Sequence, residues 1–166
     1  MVTPSLFQAY PDIASMAKAR TADLEKRIKS TGFFRNKAKS IKGAAITIME
    51  QFNGKVPDNM AELITLPGVA RKTANVVLGN AFNQNEGIAV DTHVTRLSMR
   101  LGLSEHKDPV KIERDLMTLF DRQYWTDLTH ILIDHGRNTC SARKPLCEQC
   151  SIKKDCPQIG VMNRTL

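Results

Sequence analysis

Before Cys140 this 166-residue chain has no cysteine at all. Other absences exclude whole classes of function. No apolar run approaches the ~18 residues that a bilayer-spanning helix needs, and no segment joins a one-sided basic face to a strongly apolar one, so neither a membrane-spanning nor a membrane-surface role is expected. Residues 1 to 10 lack a cationic start followed by an apolar run, so no secretory leader is read there and a cytoplasmic, nucleoid-associated location is expected. No stretch alternates convincingly between apolar and polar residues, and there is no internal repeat or low-complexity tract. The sequence therefore reads as all-α.

What is present is a positively charged chain with enough apolar residues for a real core. Hydrophobic residues make up 42%, and 24 basic against 17 acidic residues give a net charge of +7, which favours a polyanionic partner. Thr3-Pro4 and Pro11-Asp12 look like helix starts, giving two short helices within 4–19. Thr21 is expected to cap a third, ended by Gly32 in a left-handed position. Ala38, Ile41, Ala45, Ile48 and Phe52 repeat at three and four residues, predicting a long amphipathic helix over 35–52 that stops at Gly54. Asp58 or Asn59 is expected to cap the next helix, the latter in a capping pair with Glu62, ahead of Leu63. Further on, Val94, Leu97 and Leu101 mark one helix, Asp108-Pro109 opens another, and Trp125 with Leu128, Ile131 and Leu132 indicates a last one reaching Gly136. About nine helices are expected.

The stretch from Leu66 to Thr92 carries the chemistry. Leu66-Pro67-Gly68-Val69-Ala70 closes one periodic segment and opens another, because proline cannot continue a helix and glycine permits backbone angles that other residues avoid. Ala74, Val77, Leu78, Ala81 and Phe82 then follow at helical spacing. A helix-hairpin-helix results, over about 58–82, with free backbone N–H groups at the turn that suit a phosphate. Lys72 lies in the first turn of the second helix and Asp91 beyond its far end. Taken singly, Lys72 reads as a solvated lysine beside Arg71, and Asp91 as an ordinary cap for the helix starting at Thr92.

All four cysteines fall within seventeen residues, as Cys140-x6-Cys147-x2-Cys150-x5-Cys156. Thiolates held so close repel one another unless a metal centre neutralises them. Zinc and an iron–sulfur cluster both fit, and the single C-x-x-C pair does not decide between them; a disulfide pair is the weaker reading in a reducing compartment. Arg143 and Lys144 sit in the loop between the first two cysteines. A metal-pinned loop bearing two cations is a credible phosphate clamp, against the plainer role of keeping the loop soluble.

Together these motifs resemble the endonuclease III branch of the helix-hairpin-helix DNA glycosylases. LPGVARKTANVVL at 66–78 is similar to the family's hairpin, VDTH at 90–93 to its catalytic aspartate segment, and the cysteine spacing to its [4Fe–4S] signature. GFFRNKAK at 32–39, NGKVP at 53–57 and HGR at 135–137 follow the family in the same order. The resemblance implies a helical barrel region over 1–108 and C-terminal helices with an iron–sulfur region over 109–166. It implies that the family's N-terminal helices, including an apolar helix inside the barrel, are missing ahead of Met1. It favours a [4Fe–4S] cluster on Cys140, Cys147, Cys150 and Cys156, with zinc as the alternative.

The resemblance also assigns roles. Lys72 becomes the nucleophile that attacks the sugar C1′, and Asp91 its electrostatic and proton-transfer partner. A lysine nucleophile must shed its charge to attack, and the positive end of a helix beside Arg71 suits that. Phe33 becomes a wedge that fills the gap left by a flipped nucleotide, so one of Phe33 and Phe34 is expected outside and the other inside. Gly68, Val69, Ala70 and Arg71 become phosphate contacts, with Ala70 standing where the family often has a second glycine. The implied function is a base-excision repair glycosylase and abasic-site lyase acting, as a monomer, on oxidised pyrimidines in double-stranded DNA. Two other readings stand beside it: a non-catalytic DNA-binding module, and a monofunctional mismatch glycosylase, which Lys72 disfavours.

Overall fold

The computed structural model describes residues 2–161, and among them every regular element is helical. In chain order these are α1 (Thr3–Ala9), α2 (Ile13–Lys18), α3 (Thr21–Arg27), α4 (Phe34–Gln51), α5 (Met60–Leu63), α6 (Arg71–Ala81), α7 (Thr92–Arg100), α8 (Pro109–Leu119) and α9 (Trp125–Asn138). Single 3₁₀ turns cover Arg122–Tyr124 and Cys147–Gln149. No helix of the described residues is long and apolar enough to cross a membrane.

The chain forms two compact units, residues 1–74 and 75–166. In the first, α2 and α3 pack on α4. Their shared core is Leu6, Met16, Ala19, Leu24, Ile28, Ala38 and Ala45, with Phe34 and Ile41 packed against it. The apolar rows read from the sequence are the rows that meet here, and each large side chain buried this way contributes about 1.5–3 kcal/mol. In the second unit α7 packs on α8 and α9, burying Ile88, Val90, Val94, Leu97, Ile112, Leu116 and Leu132. That common core holds α7, α8 and α9 together: α7 cannot be separated from α8 without opening it.

The helix starts follow local chemistry. Asp12 accepts from Ser15 N–H in a reciprocal capping box, and these bonds hold its carboxyl below the ordinary value. Asn59 Oδ1 accepts from Glu62 N–H at 2.9 Å, while its amide donates to the Glu62 carboxylate at 2.8 Å. Two helix boundaries differ from expectation. Thr21 is the first residue of α3 and Arg20 stands at the cap, with no side-chain hydrogen bond. Gly32 does not take the left-handed conformation; Phe33 does, at φ 57°. The reason is that the Thr31 N–H and hydroxyl both bond the Ile28 carbonyl at 2.8 Å. The end of α3 is thereby closed without a left-handed glycine, and the reversal is deferred to the residue capping α4. For a phenylalanine that conformation costs about 1–2 kcal/mol.

Candidate active site and cysteine centre

The hairpin turn rests on α4. Leu66 is buried, the Val69 N–H donates to the Leu66 carbonyl at 3.0 Å, and Gly68 stands at φ +79°. This is a turn with proline in its second position and a left-handed glycine in its third. Two contacts make α4 the anvil. A Cβ on Gly43 would sit 3.1 Å from Pro67, and one on Gly68 would sit 2.5 Å from the Ser40 side chain. Glycine is therefore required at 68 twice over, by backbone angle and by close approach. Ala70 is not left-handed, so its Cβ is accommodated as expected. The hairpin's first helix, α5, is a single turn, because Thr65 and Leu66 bond three residues back, to Glu62 and Leu63.

Lys72 is exposed in the first turn of α6 and lies in the first unit. At the start of α4, Phe33 is 85% exposed while Phe34 packs against the core. One ring is out and one is in, and the outer one sits on a strained backbone. Strain and a large exposed aromatic at one residue earn no stability, a combination that clusters at binding and catalytic positions.

In the second unit, Asp91 caps α7. Its Oδ1 accepts from the backbone N–H groups of His93 and Val94 at 2.8 and 2.9 Å. The same α7 reaches the cysteine region with two arginines. Arg96 donates to the carbonyls of Gly136 at 2.8 Å and Cys140 at 3.0 Å. Arg100, only 8% exposed, donates to the carbonyls of Ser141 and Ala142 at 2.8 and 3.0 Å and to the Cys140 sulfur at 3.2 Å.

The four cysteines, none in a disulfide, line one open cavity. His135 Nε2 stands 3.7 Å from the Cys150 sulfur, and the Cys156 thiol donates to the Arg100 carbonyl at 3.7 Å. Burial, and then the neighbouring Cys140, Cys150 and Cys156, push the Cys147 thiol above its ordinary value, with Arg100 pulling the other way. Among the described residues no three His, Cys, Asp or Glu side chains are gathered closely enough to share one metal ion. Arg143 and Lys144 are exposed on the loop between the first two cysteines, where the Ser141 hydroxyl donates to the Lys144 carbonyl at 2.6 Å and closes the turn.

Arg100 had a signal in the sequence. It follows Leu97 by three residues on a face that also carries Val94, so a charge there had to be buried and had to find acceptors.

Comparison with known proteins agrees with the motifs. Residues 1–122 match the HhH-GPD superfamily base excision DNA repair protein family. The chain is 56% identical to the endonuclease III of Synechocystis sp. over 156 residues, spanning 94% of this chain and 71% of that protein. It is 43% identical to the endonuclease III of Bacillus subtilis over 156 residues, 93% of this chain and 71% of that one. Among solved structures, that of a trapped endonuclease III–DNA covalent intermediate, an estranged-adenine complex, superposes with a TM-score of 0.89 at 39% identity, over 95% of this chain and 74% of that chain. With a helix-hairpin-helix turn, an exposed lysine one step into the helix that follows, and a four-cysteine centre, the chain belongs to the HhH-GPD superfamily of base excision DNA repair proteins, in its endonuclease III branch.

Proposed function

We propose that this chain is a bifunctional DNA glycosylase and abasic-site lyase that acts on oxidised pyrimidines in double-stranded DNA. The observation that carries the reading is the hairpin: a turn pinned by Gly68 against α4, followed at once by an exposed lysine in the first turn of α6. In the reaction, Lys72 as the free amine attacks C1′ of the target nucleotide. The bond from C1′ to the base breaks, its electron pair leaves with the base, and the base takes up a proton. Opening of the sugar ring converts the adduct to a Schiff base; loss of a C2′ proton then expels the 3′ phosphate, and water releases the lysine. The Asp91 carboxylate stabilises positive charge developing on the sugar and carries protons to and from it. Both of its cap bonds fall on Oδ1, which leaves Oδ2 for that work.

The remaining site residues serve the DNA. Phe33 fills the space vacated by the flipped nucleotide. The backbone amides at Gly68 and Ala70, with Arg71, hold one phosphate, the Val69 N–H being spent on the Leu66 carbonyl that closes the turn, and Arg143 with Lys144 hold another. Cys140, Cys147, Cys150 and Cys156 would carry a [4Fe–4S] cluster. The donor set fits: four thiols around one cavity, one of them already facing a buried guanidinium. A cluster would accept thiols spaced more widely than one zinc ion does. When bound it neutralises the thiolates and stiffens the loop bearing Arg143 and Lys144. The protein is expected to act as a monomer in the cytoplasm, at the nucleoid.

A labelled duplex with one abasic site tests the activity. It should be cut on the abasic strand, and a duplex with one oxidised pyrimidine should lose that base and then be cut. An abasic duplex left whole by the iron-loaded protein would overturn the reading. Elemental analysis separates the metals: about four irons with acid-labile sulfide are expected per chain, against one zinc in the alternative.

A further inference from the structure

Residues 87–90 are buried, yet they belong to no helix and no strand. A buried irregular backbone must find partners outside a regular ladder, since an orphaned amide or carbonyl costs as much as a lost hydrogen bond. Here the partners are side chains from separate helices. On one side Asn75 of α6, itself 5% exposed, donates from Nδ2 to the Ile88 carbonyl at 3.4 Å and to Glu113 Oε1 of α8 at 2.8 Å. On the other, the Thr129 hydroxyl of α9 accepts from the Ala89 N–H at 3.2 Å and donates to the Trp125 carbonyl at 3.3 Å. Gly87 completes the grip. A Cβ there would overlap Glu113 Oε1 and come within 2.8 Å of the Asn75 amide, so the polar pair presses directly on the backbone.

Asn75 has no choice of orientation. Both of its neighbours are acceptors, so the amide nitrogen faces them and Oδ1 is left buried without a hydrogen-bond partner. An unsatisfied buried oxygen destabilises the fold, and an apolar side chain in the same place would avoid that cost. What asparagine supplies is a donor aimed at the segment that leads into Asp91. Ile88 precedes Asp91 by three residues.

We infer that Asn75, backed by Glu113 and Thr129, is a positioning residue for the lyase reaction: it holds the buried backbone that leads into Asp91. The inference rests on the roles proposed above for Lys72 and Asp91. Misplacing a reacting group by ~1 Å costs on the order of a hundredfold in rate, so a side chain that fixes this segment acts on the chemical step and not on DNA affinity.

The test uses the iron-loaded full chain in single-turnover cleavage of an abasic duplex, with duplex affinity measured in parallel. Asn75→Leu keeps the volume and removes the donor; its cleavage rate should fall about ten- to a hundredfold with affinity unchanged. Thr129→Val should lower the rate in the same manner, and Thr129→Ser, which restores the hydroxyl, should recover it. If Asn75→Leu fails to fold, the Thr129 pair decides. Variants that fold and cut at the wild-type rate, or that lose rate only in proportion to affinity, overturn the inference while leaving the proposed function intact. A wild-type chain that does not cut overturns both.

Discussion

Asp91 and Asp108 cap their helices in the same way. Each uses Oδ1 to accept from two successive backbone N–H groups, at 2.8 and 2.9 Å for Asp91 and at 3.1 and 3.0 Å for Asp108. What differs is the approach. Residues 87–90, which lead into Asp91, are buried and gripped by side chains of α6 and α9. Residues 105–108, which lead into the other helix, are exposed throughout. A cap states where a helix begins and contributes about 1 kcal/mol whatever precedes it. A buried, side-chain-clamped approach fixes the carboxylate in space, which a helix start alone does not require. The two aspartates teach that the carboxylate proposed for catalysis is set apart by what holds its backbone, not by the bonds it makes itself.

Exchanging the roles of the two is the strongest way to break that comparison. Asp91→Ala should slow single-turnover cleavage of an abasic duplex by about 10²–10⁴-fold, the range of a lost general acid or base, while Asp108→Ala should leave the rate as it is. Equal losses would remove the distinction. A smaller effect is expected from the approach itself. Gly87→Ala puts a Cβ into the Glu113 carboxylate and should destabilise the fold by about 1–3 kcal/mol, as overpacking does. Gly102→Ala is its control: there the nearest atom is Pro157 Cγ at 3.4 Å, and the penalty comes from φ +70°, worth about 1 kcal/mol. Urea denaturation of the two variants should rank them in that order, and a reversed order would mean that Gly87 is not under pressure. Smallest of all, Asp108→Ala should cost about 1 kcal/mol in the same assay, and Asp108→Asn only a few tenths.

The sequence made the helices legible because their signals are local. Asn59 with Glu62, Asp108 with Pro109, and the 38-41-45-48 row each lie within one or two turns, and each element stands where those residues put it. The hairpin was equally readable, since Pro67 and Gly68 carry their backbone preferences with them. Gly32 was misread for the opposite reason: Thr31 closes α3 with its hydroxyl, a bond that composition does not announce. That Val94, Ile112 and Leu132 meet in one core was also beyond local reading, since they come from three separate helices. At the site, the cysteines and Lys72 were legible as motifs. Asn75 and Thr129 were not, because an asparagine in the middle of a helix and a threonine near the start of another acquire meaning only when the buried segment between them is seen.

The position of Lys72 as nucleophile is tested most directly by borohydride trapping. An abasic duplex incubated with the iron-loaded protein and reduced should yield one covalent protein–DNA adduct, and Lys72→Ala should yield none while still binding the duplex. An adduct formed undiminished by Lys72→Ala, or no adduct with the wild-type chain, would contradict the assignment.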